Sequence, residues 1–206
     1  MELSIGGRRL PAAAALLAAA NVLVFVVLEV LGSTEDGYFM FLHGALYGPS
    51  VLADGEYWRL FTAMFLHFGA AHLMNNMLML VLIGGRLEQV LGSLRMLLIY
   101  LVSGVGANLF TVWFYDLRQI DAISAGASGA LMGTVGALFA CILRSGRQQA
   151  GLDRRQMLIL TGLSLYSGFA AGTANNAAHL SGLLFGFLLG LLLYRGPRNR
   201  GTFLPE

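Results

Sequence analysis

The chain has 206 residues, of which 57% are hydrophobic and only 12% are charged, and its mean hydropathy is +0.70. This composition excludes a soluble domain and predicts a polytopic membrane protein folded as one domain, residues 1–206. Its basic residues are all arginine and lie scattered at the ends of apolar runs, so nothing indicates a nucleic-acid partner. The single cysteine, Cys141, excludes a disulfide framework and a cysteine-based metal site.

Six apolar runs follow one another along the chain. Arg8 and Arg9 precede the first run, which we interpret as a retained helix rather than a signal peptide, because it is long enough to span and more spans follow. The sequence therefore predicts an all-α protein with six transmembrane helices. The predicted spans are residues 11–31, 70–83, 93–115, 126–143, 156–171 and 177–194.

Residues 32–69 form the predicted first outer loop. The loop is rich in aromatic residues, and Gly48 and Pro49 interrupt any helix long enough to span. Aromatic side chains favour the headgroup level of a bilayer. We therefore expect a membrane-embedded loop, half sunk in the outer leaflet.

The distribution of arginines tests this topology. With six spans, all but two of the 13 arginines fall on the same side as the termini, and the exceptions are Arg59 and Arg118. The positive-inside rule then predicts that both termini are cytoplasmic. The richness in alanine, leucine and glycine suggests a multi-pass protein of a bacterial inner membrane.

Two side chains with catalytic chemistry head the fourth and sixth runs. Ser128 precedes Arg144 by 16 residues, and His179 precedes Arg195 by 16 residues. If the two helices are parallel and each arginine marks the inner boundary, the serine and histidine lie at one depth. Sixteen residues rise about 24 Å within a core about 30 Å thick. A nucleophile and a base below the outer surface are then predicted, although a serine between small residues alone serves packing more often.

Glycines recur every fourth residue on both of these runs, which is typical of helices whose backbones approach closely. The spacing predicts that the fourth and sixth spans pack together and bring Ser128 and His179 within reach of each other. The glycines concerned are Gly129 and Gly133 on the fourth run, and Gly182, Gly186 and Gly190 on the sixth.

The second run carries further polar side chains. His72 and Asn76 are four residues apart and so share a helix face, near the predicted depth of Ser128. Together with the backbone N–H of Ser128, they predict an oxyanion hole, while hydrogen bonding between helices is an equal alternative. The scarcity of acidic residues after Asp121 favours a Ser–His dyad over a triad, with Asp116 and Asp121 left open as a third member.

Two other functional classes fit less well. The four histidines include no HExxH pattern and have no clustered carboxylate or cysteine, so we predict neither a metal nor another cofactor. A transporter would show an internal duplication and broken helices meeting at the midplane. The sequence has no convincing repeat, and its polar residues collect toward the outer third.

These motifs, in this order, resemble the rhomboid family of intramembrane serine proteases over essentially the whole chain. The first outer loop has the family's WR pair, the second span its HxxxN, and the fourth and sixth spans its GxSG and AHxxGxxxG. The matching residues are Trp58, Arg59, His72, Asn76, Glu88 (the acidic residue after helix 2), Gly126, Ser128, Gly129, His179, Gly182 and Gly186.

The resemblance implies a protease that cleaves single-span, membrane-anchored proteins within the lipid bilayer, without cofactor or metal. It implies Ser128 as nucleophile, His179 as general base, and His72, Asn76 and the Ser128 amide as oxyanion hole. The alternative is a catalytically inactive rhomboid-like protein that binds membrane helices. One departure is Met132, where some rhomboids carry an aromatic residue that stacks on the histidine.

The fifth run is rich in small residues, and the loop after it, residues 172–176, is small and polar and ends at Asn176. We predict that this span and loop form a mobile gate that moves against the second span. Tight packing of the small residues is an equal alternative.

Overall fold

The computed structural model describes residues 4–5, 8–9, 11–146, 148–170 and 175–196. These residues are mostly helical, with four two-residue strands. The helices are α1 (Ala12–Leu31), α2 (Gly37–Leu42), α3 (Gly48–Leu52), α4 (Arg59–Thr62), α5 (Gly69–Met79), α6 (Gly85–Leu91), α7 (Ser93–Arg118), α8 (Ser128–Ser145), α9 (Arg154–Ala170) and α10 (Asn176–Leu193). The strands are β1 (Ser4–Ile5), β2 (Arg8–Arg9), β3 (Leu46–Tyr47) and β4 (Ile123–Ser124).

Several helices have the dimensions of membrane spans. Within the described residues, α1, α7, α8 and α10 are long and apolar enough to cross a bilayer. A fifth crossing results if the segments Arg59–Phe65 and Gly69–Leu91, which meet at a 92° bend, are counted as one span. Helix α9 occupies the fifth apolar run with 17 residues. The all-α, multi-pass architecture is confirmed, whereas the number of six spans stays a prediction.

The second predicted span is longer than the sequence indicates. The predicted end at residue 83 was wrong, because α5 continues through the π-helical turn Leu80–Gly84 into α6. The helix ends instead at Gly92, whose φ of +88° lies in the region that favours glycine. Helix α7 likewise runs three residues past the predicted end at residue 115, to Arg118.

Glu88 is buried and joins the end of this helix to its neighbours. Its carboxylate accepts the backbone N–H groups of Ala13 and Ala14 at 3.0 and 2.9 Å, and the hydroxyl of Ser93 at 2.6 Å. The first N–H groups of a helix have no partner within the helix, and a negative charge there is favourable. Glu88 therefore caps α1 and joins it to α6 and α7.

Helices α8 and α10 form the closest pair in the core. A Cβ atom added at Gly182 would overlap the carbonyl of Gly129, and one at Gly186 would overlap the carbonyl of Gly133. Because the contacts advance in the same direction along both helices, α8 and α10 are parallel, as the sequence predicts. Their N-terminal ends therefore lie together at one end of the bundle.

Residues 32–69, the predicted first outer loop, fold around Arg59, which is only 4% exposed. Its guanidinium donates to Glu56 Oε2 at 2.5 Å and to the carbonyls of Phe41 and Ala45 at 2.6 and 2.9 Å. It also stacks on the rings of Phe41 and Trp58. The loop thus has a fixed internal structure, and its strand β3 pairs with β4 just ahead of α8.

Candidate active site

Ser128 is the first residue of α8, where the backbone N–H groups have no partner within the helix. The preceding turn depends on Gly126, whose φ is +136° and whose N–H donates to the carbonyl of Ala63 at 2.9 Å. A Cβ atom at this position would lie 2.7 Å from His72 Cε1. Glycine at residue 126 therefore permits both the turn and the close approach of the His72 ring to the residues before Ser128.

His179 lies in the first turn of α10, and its backbone N–H donates to the carbonyl of Asn175 at 3.1 Å. A Cβ atom at Gly129 would lie 3.6 Å from the Cβ of Ala178, so the chain neighbours of Ser128 and His179 are in contact. No hydrogen bond joins the two side chains themselves in the described part of the chain. Hydrogen bonds of this kind are often formed only once substrate is bound.

The predicted catalytic side chains share one cavity of about 790 Å³. Ser128 and His179 line it, together with His72, Asn76 and Met132. This volume is within the range of ligand-binding pockets. The structure therefore brings together the four residues of the predicted dyad and oxyanion hole, and Met132 with them.

Asn76 is 5% exposed, and one of its amide N–H groups is used within its own helix. Nδ2 donates to the carbonyl of His72 at 3.0 Å. Because a carboxamide nitrogen carries two hydrogens, the second remains available to a group in the cavity. This arrangement fits an oxyanion donor as well as a side chain that stabilises its own helix.

His67 is a site residue that the sequence argument set aside. It is fully buried, its ring centroid lies 5.2 Å from that of His72, and its Nε2 accepts the backbone N–H of Ala127 at 3.3 Å. It therefore supports both His72 and the turn before Ser128. The one indication of this role in the sequence is its position five residues before His72.

The remaining predicted residues lie in the scaffold. Gly182 and Gly186 form the α8–α10 contact, Arg59 braces the outer loop with Trp58, and Glu88 caps α1. Asn176 has a buried Oδ1 without a hydrogen-bond partner in the described ranges, and its neighbour Asn175 lines the cavity instead.

Two further predictions concern a mobile gate and a protein that holds no metal ion. Residues 171–174, most of the predicted gate loop, lie outside the described residues. Within residues 11–146, 148–166 and 175–196, no three histidine, cysteine or acidic side chains are grouped so that they could hold a metal ion.

Comparison with known proteins identifies the family. The Rhomboid domain model matches residues 54–196. The chain is 34% identical over 188 residues to Rhomboid protease GluP of Bacillus subtilis (strain 168). The aligned residues make up 91% of this chain and 36% of that protein.

Two relatives from Arabidopsis thaliana are each 38% identical to the chain. RHOMBOID-like protein 6, mitochondrial, matches over 158 residues, with 76% of this chain and 50% of the relative covered. RHOMBOID-like protein 7 matches over 157 residues, with 75% and 49% covered. The chain thus spans between about a third and half of the length of these relatives. From the extent of the domain match and these identities, the chain belongs to the rhomboid family.

Proposed function

We propose that this protein is an intramembrane serine endopeptidase. The observation that carries the proposal is the common cavity at the paired N-terminal ends of α8 and α10, which holds the Ser128 hydroxyl and the His179 imidazole. Serine and histidine side chains in one cavity are the minimal set for nucleophilic attack on a peptide carbonyl. The names of the relatives, which include a rhomboid protease, support the same reaction class.

In the proposed reaction, His179 takes the proton of Ser128 as the Oγ atom attacks the scissile carbonyl carbon. The C–N bond then breaks, and His179 returns the proton to the leaving amine. Water, activated by the same imidazole, hydrolyses the acyl-enzyme and restores the Ser128 hydroxyl. The reaction needs neither a metal nor a cofactor.

The oxyanion of each tetrahedral intermediate needs donors on the side opposite the base. The backbone N–H of Ser128 is one, at the positive end of α8, and the side chains of His72 and Asn76 supply the others. The Asn76 amide has one N–H free of its own helix for this role. The absence of a side chain at Gly126 lets the His72 ring lie close to the turn that precedes the Ser128 N–H.

Single-span membrane proteins are the proposed substrates, because the site lies among helices that a lipid bilayer surrounds. We propose an outward-facing site with both termini cytoplasmic, because the arginines concentrate on the side opposite Ser128 and His179. The composition of the chain favours a bacterial inner membrane as its location. A wet cavity at this depth is required, because hydrolysis of the acyl-enzyme consumes water.

Cleavage of a single-span substrate by the purified protein, in detergent and in vesicles, tests the proposal. Wild type should cleave it and label with a fluorophosphonate, whereas Ser128→Ala and His179→Ala should do neither. Ser145→Ala is the matched control, because Ser145 lies at the opposite end of the same helix and donates to the carbonyl of Ile142. Cleavage that persists in Ser128→Ala would contradict the assignment.

A rhomboid-like protein that binds membrane helices without cleaving them is the second candidate. Among the described residues no hydrogen bond joins the side chains of Ser128 and His179, and this observation favours it. Substrate capture without cleavage or labelling, unchanged in Ser128→Ala, would support this candidate.

A further inference from the structure

A single carboxamide connects the elements that carry the two residues of the proposed dyad. Oδ1 of Asn175 accepts the backbone N–H of Ala178 at 3.0 Å and so caps α10. Nδ2 of the same side chain donates to the hydroxyls of Thr111 at 3.0 Å and Ser124 at 3.1 Å. Helix α10, helix α7 and strand β4 therefore meet at Asn175.

The partners define how the carboxamide is oriented. Thr111 is 1% exposed, and its hydroxyl donates to the carbonyl of Ala107 at 2.9 Å. Since a hydroxyl has one hydrogen, its oxygen is left to accept from Asn175. The Ala178 N–H requires the Asn175 oxygen at the helix end, so the nitrogen faces the two hydroxyls and both of its N–H groups are engaged. The Thr111 hydroxyl also lies 3.3 Å from Oδ1.

Among the described residues, no side chain orients the imidazole of His179 through its Nδ1 atom. Its Nδ1 is buried and has no hydrogen-bond partner among the described residues. In serine hydrolases with a triad, a third side chain on this nitrogen holds the base in place. Here the ring direction depends on the first turn of α10, which Asn175 fixes, and Ser124 precedes Ser128 by four residues.

We propose that Asn175 is a positioning residue, which fixes His179 relative to Ser128 by holding the start of α10 against β4 and α7. This inference rests on the proposed function. A displacement of about 1 Å between reacting groups reduces the rate by up to about 100-fold. Asn175 also lines the cavity, but as a positioning residue it acts through the helix, so its loss should lower kcat and leave KM unchanged. A rise in KM with kcat unchanged would instead indicate direct contact with the substrate.

Two substitutions separate positioning from simple capping. Serine is as good an N-cap as asparagine, but its shorter side chain does not extend to Thr111 and Ser124. Asn175→Ser keeps the cap and should therefore lose less thermal stability than Asn175→Ala, which loses the cap as well. Both should reduce kcat and the rate of fluorophosphonate labelling by roughly 10- to 100-fold. Ser124→Ala should reduce kcat in the wild-type background and add nothing in the Asn175→Ser background.

Asn21→Ala is the control for a general loss of stability. Asn21 is fully buried in α1, and its Nδ2 donates to the carbonyl of Leu17 in the same helix. This variant should melt earlier than wild type and keep its kcat per folded molecule.

Wild-type kcat and labelling in Asn175→Ser would overturn the inference and leave the protease proposal standing. An equal fall of kcat in Asn21→Ala would also overturn it, because the effect would then follow stability. Wild-type cleavage that does not depend on Ser128 and His179 would instead overturn the proposed function, and the inference with it.

Discussion

The ring of His72 occupies the space into which a side chain at Gly126 would project. Gly126→Ala should therefore displace His72 and strain a backbone whose φ is +136°. We expect turnover to fall by up to about 100-fold, since the displaced ring is a proposed oxyanion donor. The measurement is kcat together with the thermal midpoint of the purified protein.

Gly92→Ala is the matched control for backbone strain. Gly92 has a φ of +88°, but nothing lies within 4 Å of the Cβ that the substitution adds. It should cost stability without changing turnover per folded molecule. Equal losses of turnover in both variants would show that strain alone explains the effect at residue 126.

Asn76→Ala tests the oxyanion assignment. We expect turnover to fall by roughly 10- to 1000-fold, the upper part being typical for a lost oxyanion donor, and thermal stability to change little. His72→Ala should behave similarly. If Asn76 only stabilises its helix, its loss will lower the melting temperature and leave activity per folded molecule unchanged.

Alanine substitutions of the two other histidines, His67 and His43, should differ in their effect on turnover. From the sequence alone, we expect His67→Ala and His43→Ala to reduce turnover less than His72→Ala. The structure separates them, because His67 contacts His72 and the Ala127 amide, whereas His43 contacts the carbonyl of Phe39 in the outer loop. We therefore expect a larger fall in turnover for His67→Ala than for His43→Ala. The reverse order in parallel kcat measurements would be evidence against a supporting role for His67.

Gly186→Ala should separate α8 from α10, because its methyl group would overlap the carbonyl of Gly133. Overpacking typically costs about 1–3 kcal/mol. A Cβ at Gly162 in α9 meets nothing within 4 Å, so Gly162→Ala should be neutral or slightly stabilising. Unfolding in mixed micelles gives both free energies, and equal stability of the two variants would argue against the close α8–α10 contact.

Long-range partners explain what the sequence could and could not predict. The α8–α10 pairing was predictable, since glycines at every fourth residue of apolar helices indicate that the helix backbones pack closely. The helical end at Leu91 was not, because two of the three partners of Glu88, the N–H groups of Ala13 and Ala14, are about 75 residues away along the chain. The role of Asn175 was also hidden, since it depends on Thr111 and Ser124, which only the folded chain brings to it.

Substrate must enter the cavity sideways from the lipid, between helices. We propose that α9 and residues 172–176 move against α5 to admit a substrate. Two cysteines, one at Ala71 and one among residues 167–170, in a Cys141→Ser background, should stop cleavage of a membrane-embedded substrate when joined by a reducible crosslinker. Reduction should restore it. Full activity in a completely crosslinked sample would exclude this gate.

The cap that Glu88 provides has a consequence for biosynthesis. The ribosome makes α1 first, so the N–H groups of Ala13 and Ala14 emerge about 75 residues ahead of the carboxylate that accepts them. Until then these donors depend on water or lipid headgroups at the membrane surface. The N-terminal turn of α1 therefore reaches its final hydrogen bonding only after α6, which carries Glu88, has been translated.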